Sequence, residues 1–167
     1  MSKQDISVRS YQDKAVGDEL LMKVLEAARF APSACNNQPL SFIIIRESIK
    51  RLQTVYNRDW FLNAPAVILV SYDRNSSWKR GDGKEYGEVD AAIAMDHITL
   101  AAAELGLGTC WIGAFNAVEA HKVLLLPENI IPVAFTPIGF PAPSKVSKKR
   151  KELKDLIHWE FYGGSRH

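Results

Sequence analysis

Three short apolar runs decide most of what this chain can become. "SFIIIR" (41–46), "PAVILVS" (65–71) and "IPVAFTPIGF" (131–140) are short and rich in β-branched residues, which makes them strands. The first two read as buried strands, without the alternation of a strand that has one wet face. Around them the hydrophobic period switches to that of a helix. "DELLMKVLEAARF" (18–30) puts Leu21, Val24, Leu25 and Ala28 on one stripe, with Asp18 as candidate acceptor for the first-turn amides and Pro32 past the end. "ESIKRLQTVY" (47–56) has helical spacing, and residues 88–106 form the longest helical pattern, rich in alanine and closed by Gly106 and Gly108. "TCWIGAF" (109–115) reads as a further strand and "NAVEAHKVLLL" (116–126) as a helix capped by Asn116, before a polar tail.

This order predicts one domain built as a three-layer α+β or α/β sandwich. A chain of 167 residues, 47% of them hydrophobic, can bury a sizeable core but is too short for two ordinary domains. Its formal charge of +2 gives no sign of a nucleic-acid or anionic-membrane partner, although the positive residues crowd into "SKVSKKRK" (144–151). Two cysteines cannot build a disulfide framework, and "MSKQDISVRS" lacks the apolar run of a secretory signal. The helical stretch 91–108 is interrupted by Asp96, His97 and Glu104, so no membrane span is expected. A reduced, cytoplasmic protein is the expectation.

The chemistry concentrates in a few segments. "APSACNNQPLSF" (31–42) sets the carboxamides of Asn36 and Gln38 around a proline-flanked bend. Each carboxamide offers donors and an acceptor, the complement of a ring edge that alternates C=O and N–H, such as the pyrimidine edge of a flavin; satisfying backbone groups in a turn is the plainer alternative. In "SVRSY" (7–11) an extended backbone points Ser7 and Arg9 the same way, which suits a phosphate. Lys148 and Arg150 repeat that spacing in "SKKRK". Residues 73–87 form a long polar loop with two aromatics, Trp78 and Tyr86, that either stack on a flat ligand or pin the loop. Other features point away from rival chemistries. Asp90 and Asp96 do not share a helix face, no spacing suggests a metal site, and the glycines of "GLGTCWIG" follow a helix instead of opening one.

Taken in order, "SVRSY", "APSACNNQPLSF", "AAAELGLGTCWIGAF", "PIGFPA" and "KKRKELKDLIHW" resemble the nitroreductase family of flavin mononucleotide (FMN) enzymes, over nearly the whole chain. The most specific matches are the Pro-Ser-x-x-Asn-x-Gln-Pro block at 32–39 and the Glu-Leu-Gly-Leu-Gly-Thr run from Glu104. The resemblance implies an α+β three-layer sandwich, its mainly antiparallel central sheet flanked by helices, in an interlocked homodimer with FMN at the subunit interface. It implies Ser7, Arg9, Lys148 and Arg150 on the phosphate side. Pro32, Ser33, Ala34, Asn36 and Gln38 would touch the ring or ribityl chain, some of them from the partner. Trp111, Ile112 and Gly113 would lie along the ring, and no side chain would act as acid, base or nucleophile. The implied activity is electron transfer from NADH or NADPH through FMN to nitroaromatic, quinone or similar acceptors; if the loop covers the flavin, Trp78 and Tyr86 are the residues to stack on the acceptor. A flavin carrier or sensor without nicotinamide-dependent turnover is the alternative. A flavin-free hydrolase using Cys35 is a third class, but none of His97, His121, His158 or His167 is placed to activate it.

Overall fold

The computed structural model describes residues 7–143 and 149–165. The frame is a four-stranded sheet in the order β1-β2-β4-β3, with β1 at Leu40–Ile45, β2 at Ala66–Asp73, β3 at Gly108–Thr109 and β4 at Ile130–Gly139. Every neighbouring pair is antiparallel. Four α-helices surround it: α1 (Asp18–Arg29), α2 (Asp59–Leu62), α3 (Gly87–Glu104) and α4 (Ala117–Leu124).

β2 shows why the layers are three. Successive side chains of a strand point to opposite faces, and here both faces are covered. Ala66, Ile68 and Val70 join one cluster with Leu21, Val24 and Ala28 of α1 and Ala91, Ala94, Met95, Ile98 and Ala102 of α3. Val67 and Leu69 join a second cluster with Leu52, Phe61 and Ala120. The small side chains of α3 bring it close to α1 and the sheet, so Ala91, Ala94 and Ala102 serve internal packing. Gly87, at the start of α3, sits against Tyr72: a Cβ there would come 2.1 Å from the ring atom Cδ2. Gly106 ends the helical region in the left-handed conformation, φ +74°. The predicted cap of α4 is present, with Asn116 Oδ1 accepting from the Glu119 amide at 3.1 Å.

Several expectations need correction. β1 is not a doubly buried strand: it lies at the sheet edge, pairs only with β2 among the described residues, and buries only Ile45 fully. Its β-branched run fits the pleat, which composition alone cannot distinguish from a central position. Asp18 does not cap α1, because the cap is Gly17 and the Asp18 carboxylate pairs with Arg46. The stretch 47–56 forms a 3₁₀ segment at Ile49–Thr54. "TCWIGAF" is strand only at its first residue; the chain then leaves the ladder and rejoins β4 through the single bridge of Ile112 to Phe135. The tail is not polar in effect: from a 3₁₀ turn at Leu153–Asp155 onward it exposes Leu153, Leu156, Ile157, Trp159, Phe161 and Tyr162.

Asp73 ties the ends of β2 and β4 to the loop that follows. Its Oδ1 accepts from Asn129 Nδ2 at 2.7 Å and from the Asn75 amide at 2.9 Å. These bonds, the Asn129 bond first, hold its carboxyl below the usual aspartate range. A carboxyl whose folded pKa is depressed adds stability that is full above the unfolded pKa and is lost as pH falls through the folded one. Melting temperature should therefore fall in acid below the ordinary carboxylate range, and Asp73→Asn should flatten that fall. Identical acid profiles for parent and variant in a pH series of thermal melts would show that the Asp73 bonds carry none of it.

Candidate functional site

The bend between α1 and β1 is irregular backbone braced from several sides. Ser33 is extended, Ala34–Asn36 forms a 3₁₀ turn, and Cys35, Asn36 and Gln38 all have positive φ, at 53°, 54° and 50°. Asparagine tolerates that region, whereas cysteine and glutamine enter it at a cost and stay only where the surroundings over-determine them. Here the Gln38 amide donates to Ser33 Oγ at 2.9 Å and the Asn36 amide to the Ser33 carbonyl at 2.9 Å. Asn37 Nδ2 donates to the Ser76 carbonyl at 3.0 Å, joining the bend to the 73–87 loop. The Ala34 amide donates to Asp90 Oδ1 at 3.0 Å. Asn36 and Gln38 are exposed; the Asn36 side chain makes no hydrogen bond among the described residues, and Gln38 Nε2 has only a long contact of 3.4 Å to the Asn36 carbonyl. Both carboxamides are thus presented outward on a rigid base. Pro32 is also exposed, and Ser33 and Ala34 are half-buried.

The N-terminal segment lies along the opposite edge of the sheet. Ser7 bridges to Thr109, the Val8 amide donates to the Thr109 carbonyl at 2.8 Å, and the Val8 side chain rests on Gly108. Tyr11 fixes the segment further, its hydroxyl donating to the Val8 carbonyl at 2.9 Å. Burial pushes that hydroxyl far above the ordinary tyrosine range, so it remains a donor. Arg9 is exposed, has no ion pair among the described residues, and holds its guanidinium 5.7 Å from the ring centroid of Trp60, a cation–π contact. On the same edge Ile112 is buried, its N–H and C=O both bonded to Phe135, while Trp111 and Gly113 on either side are exposed. Arg150 is exposed and without an ion pair among the described residues; Lys148 lies outside them.

One protomer therefore does not bring the candidate residues together. Ser7 adjoins Thr109, opposite Ile138 of β4, whereas the bend leads into Leu40, opposite Tyr72, which faces Ile131. From Ile131 to Ile138 along β4, and across the strands from Ser7 to β1, the two groups stand roughly 30 Å apart at about 3.3 Å per residue and about 4.8 Å per strand.

The 73–87 loop is a small hairpin, with Lys79 bridged to Glu85 and its tip at Gly83 in the left-handed region. Trp78 and Tyr86 stack edge-on against each other at 4.9 Å, and Arg80 donates to the Tyr86 hydroxyl at 3.1 Å. Both rings are half-buried and hold the loop's own base. Cys35 is exposed and no histidine contact to it is present among the described residues. Among those residues there is also no group of three or more His, Cys, Asp or Glu side chains that could hold a metal ion, and no helix is long and apolar enough to cross a membrane.

Sequence reasoning missed Asn37, Trp60, Tyr11 and Asp90 as parts of this architecture. Asp90 alone left a signal: it falls on the apolar stripe of α3 with Ala94 and Ile98, an acid where the helix is buried.

The profile of the family described as "Nitroreductase family" matches residues 6–55 and 49–140. A protein of Methanothermobacter thermautotrophicus, named for NADH dehydrogenase/NAD(P)H nitroreductase activity, is 35% identical over 161 residues, 92% of this chain and 82% of the other. The crystal structure of a nitroreductase family protein from Clostridium difficile superposes with a TM-score of 0.88 at 35% identity, covering 95% of both chains. A Desulfovibrio desulfuricans structure, described as a nitroreductase in complex with FMN, gives 0.80 at 31% identity and covers 93% of this chain and 91% of that one.

Proposed function

The chain belongs to the nitroreductase family, and from that premise we propose that it is an NAD(P)H-dependent oxidoreductase that uses bound FMN to pass electrons, by a ping-pong mechanism, to nitroaromatic, quinone or similar electron-poor acceptors. The observation that carries this reading is the braced bend, which lies inside the matched region and offers two uncharged carboxamides on backbone that cannot relax.

The donor set fits the cofactor. FMN has a neutral ring system and one terminal phosphate, and the chain supplies neutral amides in one place and cations lacking described counter-ions, Arg9 and Arg150, elsewhere. When bound, FMN supplies the hydride and electron chemistry. The protein's residues would position it: Asn36 and Gln38 would orient the ring through donors and acceptors, and Pro32, Ser33 and Ala34 would touch the ring or ribityl chain. Ser7, Arg9, Lys148 and Arg150 would hold the phosphate, and the positive charge of Arg9 would favour negative charge developing on the ring when it is reduced. Trp60 keeps the guanidinium in place. Trp111, Ile112 and Gly113 would line the ring, held by the Ile112 backbone bonds to Phe135. Trp78 and Tyr86 border the acceptor through the ring edges their mutual stacking leaves open.

The distance between the bend and the Ser7–Arg9 segment supports a homodimer in which each site takes its bend from one protomer and its phosphate side from the other. Surface apolarity supports it too. The tail exposes Trp159, Phe161 and Tyr162, α3 exposes Val89 and Leu100, and a groove beside the open edge of β1 is lined by Met22, Leu25 and Phe42. Such surface is unusual on a monomer and ordinary at an obligate interface. Light scattering on the flavin-loaded protein should give twice the chain mass; a flavin-loaded monomer would refute the shared site.

Purified protein should show flavin absorbance that bleaches anaerobically on adding NADH or NADPH and returns with a quinone or nitroaromatic compound. Persistent absorbance would make the protein a carrier. In stopped-flow, Trp78→Ala should leave the first half-reaction nearly unchanged and alter the ranking of acceptors in the second. An unaltered ranking removes the loop from the acceptor site.

Arg9→Ala should weaken FMN retention by about ten- to a hundredfold, the worth of one charge-assisted hydrogen bond, and leave the circular dichroism spectrum unchanged. Fluorescence titration of apo-protein reads the affinity, and a variant that binds as tightly as the parent would take Arg9 out of the phosphate site.

A further inference from the structure

Asp90 is an acid in an apolar place, and the proposed electron transfer does not use it. It belongs to the first turn of α3, is 1% exposed, and is followed by buried Ala91, Ala94 and Met95. Its Oδ1 accepts the Ala34 amide at 3.0 Å, while its Oδ2 is shielded from solvent and has no hydrogen-bond partner among the described residues. A buried carboxylate with an oxygen left over is costly for a fold, although the positive end of α3 offsets part of that cost. The start of α3 is itself anchored, because Gly87 lies flat on the Tyr72 ring and the Tyr72 hydroxyl donates to Glu85 at 3.1 Å.

The bond falls at a telling point. Ala34 stands between extended Ser33 and the left-handed Cys35 and Asn36, where the chain changes direction. Of the bonds that hold the bend, those from the Asn36, Asn37 and Gln38 amides stay within it, and the Asn37 side chain reaches only the neighbouring loop. The Asp90 bond is the one that ties the turn itself to a core helix.

We propose that Asp90 is a positioning residue: by fixing the Ala34 amide it locks the bend in its left-handed conformation and thereby sets Asn36 and Gln38 in the geometry that receives the flavin ring. The cofactor half of this statement rests on the function proposed above, whereas the locking half concerns the apo chain alone.

The test separates the two halves. In apo-protein the Ala34 amide should be protected from hydrogen exchange, and an unprotected Ala34 amide in the parent overturns the lock without any variant being made. In Asp90→Ala, exchange at Ala34 should accelerate by about ten- to a hundredfold while the middle of α3 stays protected, and FMN affinity should fall by a similar factor. Asp90→Asn keeps an oxygen that accepts the same bond, so it should restore both readings to within a few-fold of the parent. The visible circular dichroism of bound flavin, which reports how the ring is held, should change in the alanine variant and return in the asparagine one. Equal losses in both variants, or faster exchange with unchanged FMN affinity, overturn the positioning role. If the parent binds no FMN, the cofactor half falls together with the proposed function, and the exchange data judge the lock.

Discussion

Everything in this molecule hangs on β2, a strand buried on both faces. Because Ala66, Ile68 and Val70 belong to one cluster and Val67 and Leu69 to another, the strand joins the two cores, as β4 beside it does through Ala134 and Ile138 on one face and Phe135 on the other. The helices on either side then fall into place: α1 and α3 must bury their stripes on one face, and the 3₁₀ segment, α2 and α4 on the other. The C-terminal end of β2 does as much as its middle. Tyr72 receives the start of α3, Asp73 receives β4 through Asn129, and the Asp73 amide donates to the Pro39 carbonyl at 2.8 Å, just where the bend enters β1. The bend is therefore rigid because it is attached to the best-buried strand at one end and, through Asp90, to the longest helix at the other.

That rigidity has an energetic meaning. A loop that must be ordered on binding loses part of its contact energy to the lost freedom, whereas a loop already fixed keeps it. The left-handed Cys35 and Gln38 are costly in the free chain, and the core bears that cost before any ligand arrives. An arrangement of this kind suits a protein whose contribution to chemistry is to hold a reactive group still.

Much of this was legible from the residues, and the misses follow a physical pattern. β2, β4 and α3 were readable because each buries so much apolar surface that period and run length leave little choice. The same reasoning found β1 as a strand but not its place at the edge, because a β-branched run fits an edge strand as well as a central one and sequence does not count neighbours. It failed at "TCWIGAF" because glycine removes the alternation that would show where the ladder ends. In the site, Asn36 and Gln38 were visible as residue types in an unusual setting, but the bracing residues were not: Asn37, Trp60 and Asp90 act through partners far along the chain. The roughly 30 Å between the two groups of candidate residues could not have been guessed from spacing, since it depends on which edges of the sheet their segments reach.

The open edge of β1 has a consequence for colloidal behaviour. A six-residue strand ending in Ile43, Ile44 and Ile45, with unpaired backbone on its outer side among the described residues, is a template onto which any passing strand can add, including the same strand of another molecule. The chain flanks it with residues that resist such growth: Pro39 has no amide to donate, and Arg46 and Glu47 put charges directly after the strand's end. Arg46 is held there by Asp18 and by the Val16 carbonyl, so this gatekeeper is anchored to α1. Substitutions at Pro39 or Arg46 are thus expected to be felt as precipitation on storage or overexpression.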